Sequence, residues 1–253
     1  MAKKNNPYIL FLIGTGLLSA GWVMKSFPLL IFTGIAPLFA ITDLAKPEKS
    51  FWNFFELILL ALSISLFAAH LFETKYLVSV LVQSIILTLA FVGYSFTRQR
   101  LGSWVGKPCI VLFWLGLEYI FLKVSWTDST LFLGDALSLK MEWLRWNQYT
   151  GYLGATMWIL LCNLILYYSF LKDKISIAWM VVYFLIFIGP IVYSYTLTSD
   201  AIHREEMIAL YESSTQLKSG YAKYGEYIPR TAGWISGLIL IFATLKTNSV
   251  KND

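Results

Sequence analysis

The sequence predicts an all-α fold, a polytopic transmembrane helical bundle of about eight helices, on three observations. First, 57% of the 253 residues are hydrophobic and only 14% are charged, far from the balance of a soluble domain. Second, the apolar residues fall in long runs with one or no charged residues, approaching the roughly 20 residues that a helix needs to cross a bilayer core of about 30 Å. Third, ten Trp, fifteen Tyr and eighteen Phe supply the aromatic side chains that collect at membrane interfaces. The net charge of +5 would suggest nucleic acid in a soluble protein. Here the basic residues lie mostly between apolar runs, so they read as topology signals and anionic-lipid contacts, with no nucleic-acid partner.

The expected helices cover 8–24, 27–42, 51–72, 76–97, 108–124, 149–171, 175–197 and 231–245, in one integral domain over 1–253. The first run follows Lys3 and Lys4 like a signal peptide, yet it leads through Lys25 and Ser26 into a second apolar run without a cleavage pattern, so it is expected to stay. Pro28, Gly34 and Pro37 predict a kinked or partly re-entrant second helix packed against protein. Eight passes place both termini on one side. With that side cytoplasmic, Lys3, Lys4, Lys46, Lys49, Arg98, Arg100, Lys107, Lys172, Lys174, Lys246 and Lys251 are inside. These are eleven of the twenty basic residues, held in short loops, and the positive-inside rule favours this orientation. The segments 125–148 and 198–230 are then extracytoplasmic loops. The second is 33 residues long, below the roughly 40 at which a unit usually folds without disulfides or metal. Its first half, SDAIHREEMIALYESS, reads as an amphipathic helix with Ser199 or Asp200 as N-cap.

Few residues offer chemistry. Cys109 and Cys162 lie in apolar surroundings and read as small buried hydrophobes, although Cys109, after Lys107 and Pro108, is expected at a helix start that favours a thiolate. His203 and Glu206 have an i, i+3 spacing, but two ligands make no metal site, so they read as a solvated helix face and no metal or other cofactor is expected. Gly151, Gly154 and Ala155 form a small-residue patch suited to close packing. Glu56 lies one turn into its helix and can snorkel. Glu118 is deeper, where an ionisable group needs a reason. It serves either an interhelical hydrogen bond, with Asn163, Gln83, Asn53 or His70 as partner, or a ligand that it faces from the outer half of the membrane; Lys123 is not expected to share its face.

Four stretches carry a resemblance: SFPLLIFTGIAPLFAITD (26–43), FWLGLEYIFLKVSW (113–126), WNQYTGYLGATMWILLCN (146–163) and GYAKYGEYIPRTAGWISGLILIF (220–242). In this order they are similar to the membrane part of the bacterial apolipoprotein N-acyltransferases, which attach a third acyl chain to lipoproteins. The resemblance implies a bundle in the bacterial inner membrane and a lipid or lipoprotein ligand. It points to Glu118, Tyr119, Trp126, Tyr149 and Asn163 as candidates for contact with a phospholipid, a lipoprotein or a partner protein. Family members carry a periplasmic nitrilase-like domain with a Glu-Lys-Cys set between the last two helices. Here that interval is 198–230 and has no cysteine, so no catalytic residue is carried over. The expected function is therefore non-catalytic; the alternative is the membrane subunit of a split acyltransferase acting with a separate nitrilase-like subunit.

The orientation has a direct check. Cysteines substituted for Ser214 and Ser138 are expected to react with an impermeant thiol reagent on intact cells, and one substituted for Ser103 only after permeabilisation. The reverse pattern would invert the topology.

Overall fold

The computed structural model describes residues 6–24, 26–44, 51–123, 129–171, 175–198 and 227–246, without the side chains of 51–53, 103–105 and 123. These residues are helical with no strand among them, a bundle as the composition predicts. Among the described residues four segments are long and apolar enough to cross a membrane, 74–101, 153–171, 177–196 and 227–245, which marks a membrane protein; 7–23, 28–44 and 54–69 are shorter apolar helices.

Helix α1 (Pro7–Val23) starts where Asn6 accepts the Tyr8 N–H at 3.0 Å, with Pro7 in the first helical position where no N–H is needed. The second pass is broken, as Pro28, Gly34 and Pro37 suggest. A 3₁₀ turn (Pro28–Leu30) leads into α2 (Ile31–Gly34), the chain bends at Ile35, and α3 (Ala36–Leu44) continues. Gly21 and Gly34 let α1 and this pass touch backbone to backbone, since a Cβ on Gly21 would lie 2.8 Å from Ile31 N and one on Gly34 2.8 Å from Leu18. Then follow α4 (Phe51–Ala69), α5 (Leu77–Leu101) and α6 (Ser103–Lys123). Gly102, at φ 88°, ends α5 and returns its N–H to the Arg98 carbonyl at 3.0 Å, while Arg98 and Arg100 in the last turn suit the negative end of the helix. Helix α6 begins five residues earlier than expected and contains Pro108, so Cys109 sits in its second turn, buried, and not at a helix start. Helices α7 (Asn147–Thr150), α8 (Leu153–Leu166, continued by a π turn Tyr167–Leu171), α9 (Ile177–Thr196) and α10 (Tyr227–Leu245) complete the chain.

Helix α6 is central, packed against α5, α8 and α10, while α8 touches α2 and α9. Two boundaries differ from the sequence reading. Helix α10 starts at Tyr227, so the end of the expected 198–230 loop is helical; its residues 199–226, with His203 and Glu206, lie outside the described set. The 125–148 segment is not a solvated loop in its described part. Residues 129–146 fold back as 3₁₀ turns, and Phe132, Leu133, Ala136, Leu137 and Leu144 join the core. Apolar side chains at those positions drive the segment inward. It forms a plug at the end of the bundle.

Asn163 holds the break in the second pass. Its Oδ1 accepts the Ile35 N–H at 2.8 Å and the Ala36 N–H at 3.0 Å, and its Nδ2 donates to the Ile31 and Ile159 carbonyls at 2.9 Å. Three of the four, Ile31, Ile35 and Ala36, are backbone groups at the bend, in a place without water; the Ile159 carbonyl is one turn back on α8 itself. Asn163→Ala is expected to lower stability by about 1–3 kcal/mol, the cost of orphaning such groups, with Asn163→Asp intermediate because it keeps the acceptor. Unfolding in mixed detergent reads this directly; an alanine variant as stable as wild type would remove the clamp from the account.

Candidate functional site

Glu118 projects from α6 into the bundle with no exposed surface. Its Oε1 accepts the Trp114 indole N–H at 2.9 Å, from one turn earlier, and the Leu133 backbone N–H at 2.8 Å, from the plug. Its Oε2 accepts the Thr156 hydroxyl of α8 at 2.7 Å. Thr156 in turn accepts the Gly134 N–H at 3.2 Å. The carboxylate is thus held by a tryptophan, a threonine and a backbone amide, while Asn163 and Gln83, two of the partners expected from the sequence, bond to other groups; of the three, Trp114 alone stands at helical spacing from Glu118. Gln83 serves the same plug from α5, taking the Leu131 N–H at 3.3 Å and donating to the Leu131 carbonyl. Asp135 closes the turn by accepting the Phe132 N–H at 2.7 Å and the Tyr152 hydroxyl. Beside the Glu118 carboxylate lies a chamber of about 20 Å³ walled by Leu18, Trp22, Leu66 and Trp114, room for one water molecule and no substrate.

The other candidates lie apart. Tyr119, next in sequence but turned to another side of α6, lines a lateral groove. Tyr149 stands half exposed on α7, its carbonyl 3.4 Å from the Tyr227 hydroxyl. Trp126 lies outside the described residues. Glu118 and Asn163 share the interior of the bundle with α8, and the hydrogen bonds of both end on protein. Gly154 and Ala155 are closely packed as expected, the first against Thr150 and Trp146 and the second against Gly134 of the plug, and Glu56 is exposed. Cys162 is fully buried.

The lateral groove has a volume of about 870 Å³, within the roughly 300–1,000 Å³ of small-molecule sites. It runs between α5, α6 and α10, with Gly93, Phe113, Gly116 and Tyr119 on the bundle side and Gly237 and Ile241 on α10. Its walls are almost wholly apolar, and Arg230 marks one end. Helices α6 and α10 meet at Gly116 and Gly233, where a Cβ on Gly116 would sit 3.2 Å from the Gly233 Cα, so the groove opens beside a close crossing.

The opposite end of the bundle holds a cluster whose two cations the sequence reading placed in short loops. Asp43, at the end of α3, pairs with Arg98 of α5 and with Lys107 of α6, the latter at 2.9 Å. It also accepts the Tyr94 hydroxyl at 2.5 Å and the Tyr167 hydroxyl. Lys107 is 3% exposed, donates to the Tyr167 hydroxyl at 3.1 Å and lies 4.5 Å over the Tyr167 ring and 5.0 Å over the Tyr168 ring. Arg98 and Lys107 are thus intrahelical and engaged with one carboxylate. Each stands next to a short connection in the sequence, which is why it read as a topology charge. Among the described residues no group of three His, Cys, Asp or Glu side chains is placed to hold a metal.

Comparison with protein-family models, with curated proteins and with solved structures gives no match in any of the three.

Glu118→Gln keeps an oxygen for Trp114 and Leu133 and turns the third bond around, so it is expected to unfold close to wild type. Glu118→Ala loses all three bonds and is expected to cost on the order of 1–2 kcal/mol. Thermal unfolding of the two variants in detergent separates the cases; equal loss in both would mean that the negative charge matters and not the hydrogen bonds.

Proposed function

We propose that the chain is a multi-pass inner-membrane protein, both termini cytoplasmic, similar to the membrane part of the apolipoprotein N-acyltransferases, and that it holds a lipid and has no catalytic activity of its own. The observation that carries the reading is the lateral groove of about 870 Å³, apolar and set between membrane-depth helices. A cavity of that kind favours hydrocarbon over any polar ligand, because a polar group placed there would lose its hydrogen bonds to water without replacement. Two further facts support a non-catalytic role. Glu118 and Asn163 spend their hydrogen bonds on the chain's own backbone and side chains. Both thiols are buried, so neither is presented to an acyl donor as a nucleophile must be.

The test is gentle purification followed by mass spectrometry of what comes with the protein, together with an acylation assay on a lipoprotein substrate. Bound lipid with no turnover is the expected result. A stoichiometric nitrilase-like subunit would replace this reading with that of a split acyltransferase. Turnover by the isolated chain that survives Cys109→Ala combined with Cys162→Ala would show a non-thiol mechanism and overturn it.

A further inference from the structure

We infer that the groove between α5, α6 and α10 takes one acyl chain of a diacyl phospholipid, with the lipid phosphate held by the Arg230 guanidinium. The inference rests on the lipid-holding reading and gives it a site and a headgroup chemistry.

Length is the first argument. From Arg230 to Ile241 the groove follows α10 for eleven residues, about 16 Å at 1.5 Å per residue. That is about half of a bilayer core of roughly 30 Å, the depth of one leaflet. A partner helix would need a track along the whole thickness. An acyl chain entering from one interface needs only this much.

Polarity along the groove is the second. Arg230 is in the first turn of α10, at the end of the helix that begins at the membrane surface, and what lines the groove beyond it is apolar or glycine apart from Tyr119 and Ser236, whose hydroxyl donates to the Ala232 carbonyl of its own helix at 2.6 Å. A charge at one end of an apolar slot is the pattern of an amphiphile's site, headgroup first and tail inward. The guanidinium is exposed and makes no hydrogen bond or ion pair with the described residues. It therefore has its donors available for an anion, and a phosphate takes the planar fork in a bidentate, charge-assisted pair. In a membrane the anion present at that level is the lipid phosphate.

Shape is the third. Gly93, Gly116, Gly233 and Gly237 line the slot where larger side chains would fill it. A Cβ on Gly237 would meet nothing within 4 Å, so the space there is open and the glycine is not required by packing within the chain. Gly237→Leu consequently adds an apolar side chain at the lining with no clash at its Cβ, while Arg230→Gln removes the charge and leaves the apolar walls unchanged.

The experiment uses the full-length chain in mild detergent. Phosphatidylglycerol, diacylglycerol with the same acyl chains, and inorganic phosphate are titrated in separate runs and read by native mass spectrometry, with circular dichroism confirming the helical fold of each variant. Wild type is expected to retain one phosphatidylglycerol, which inorganic phosphate does not displace. Arg230→Gln is expected to weaken phosphatidylglycerol binding on the order of tenfold, the size of a lost charged hydrogen-bond pair, and to leave diacylglycerol binding unchanged. Gly237→Leu is expected to weaken both. If Gly237→Leu does not fold, the contrast between the two lipids in Arg230→Gln decides alone. Wild-type lipid binding untouched by both variants would overturn the groove as the site and leave the lipid-holding reading standing; a wild type that retains no lipid would overturn both. Displacement by inorganic phosphate, or a lipid-free dimer lost in Gly237→Leu, would each overturn the acyl chain as occupant.

Discussion

Every polar backbone group of this chain that lies at membrane depth needs a partner within the protein, because hydrocarbon offers none. A bundle of plain helices meets that demand by itself. This one includes two stretches that do not, the bend at Ile35 and the folded-back plug at 129–146. Both are held by polar side chains from neighbouring helices. Asn163 serves the bend with three hydrogen bonds, while Glu118, Gln83 and Thr156 serve the plug through Leu133, Leu131 and Gly134. Irregular backbone and buried polar side chains are thus one feature seen from two sides. Either would be costly without the other.

Seen this way, α8 is the keystone of the interior. Its Thr156 meets the Glu118 carboxylate and the plug, and Asn163, two turns on, meets the broken pass. Its π turn then brings Tyr167 to Asp43 and Lys107. One helix therefore ties the plug at one end, the bend in the middle and the ionic cluster at the other end. The cluster joins α3, α5 and α6 through a single carboxylate shared by two cations and two phenols. The desolvation of so buried an ammonium as Lys107 is offset by its surround, in which the Asp43 carboxylate, the Tyr167 hydroxyl and two ring faces take part.

The outer helices obey a different rule. Helix α9 exposes Ile177, Leu185 and Tyr195, and α10 exposes Trp234, Leu238 and Leu245, so both present apolar surface outward. Such surface is at home against lipid and has no need of the dense packing that fills the interior. Where α10 rests on α6 through Gly116 and Gly233 the contact is close, and the lateral groove is the space left beside it.

The amino-acid sequence by itself determined the all-helical class, the membrane environment, the order of the passes and the bend near Gly34 and Pro37, because apolar run length and proline chemistry are local properties. It also singled out Glu118 and Asn163, since a polar side chain within an apolar run stands out without any knowledge of its neighbours. Their partners were decided by tertiary structure. Trp114 is one turn from Glu118 and was open to inspection, but the Leu133 amide and the Thr156 hydroxyl become neighbours only when 129–146 folds inward, an event driven by Phe132, Leu133, Leu137 and Leu144 finding core space that no single run announces. Arg98 and Lys107 likewise looked like loop charges, because each stands near a helix end in sequence, and Asp43 drew no attention of its own. Only the convergence of α3, α5, α6 and α8 in space makes them one cluster, and the sides of four helices that face each other are set by packing, not by the order of residues along any one of them.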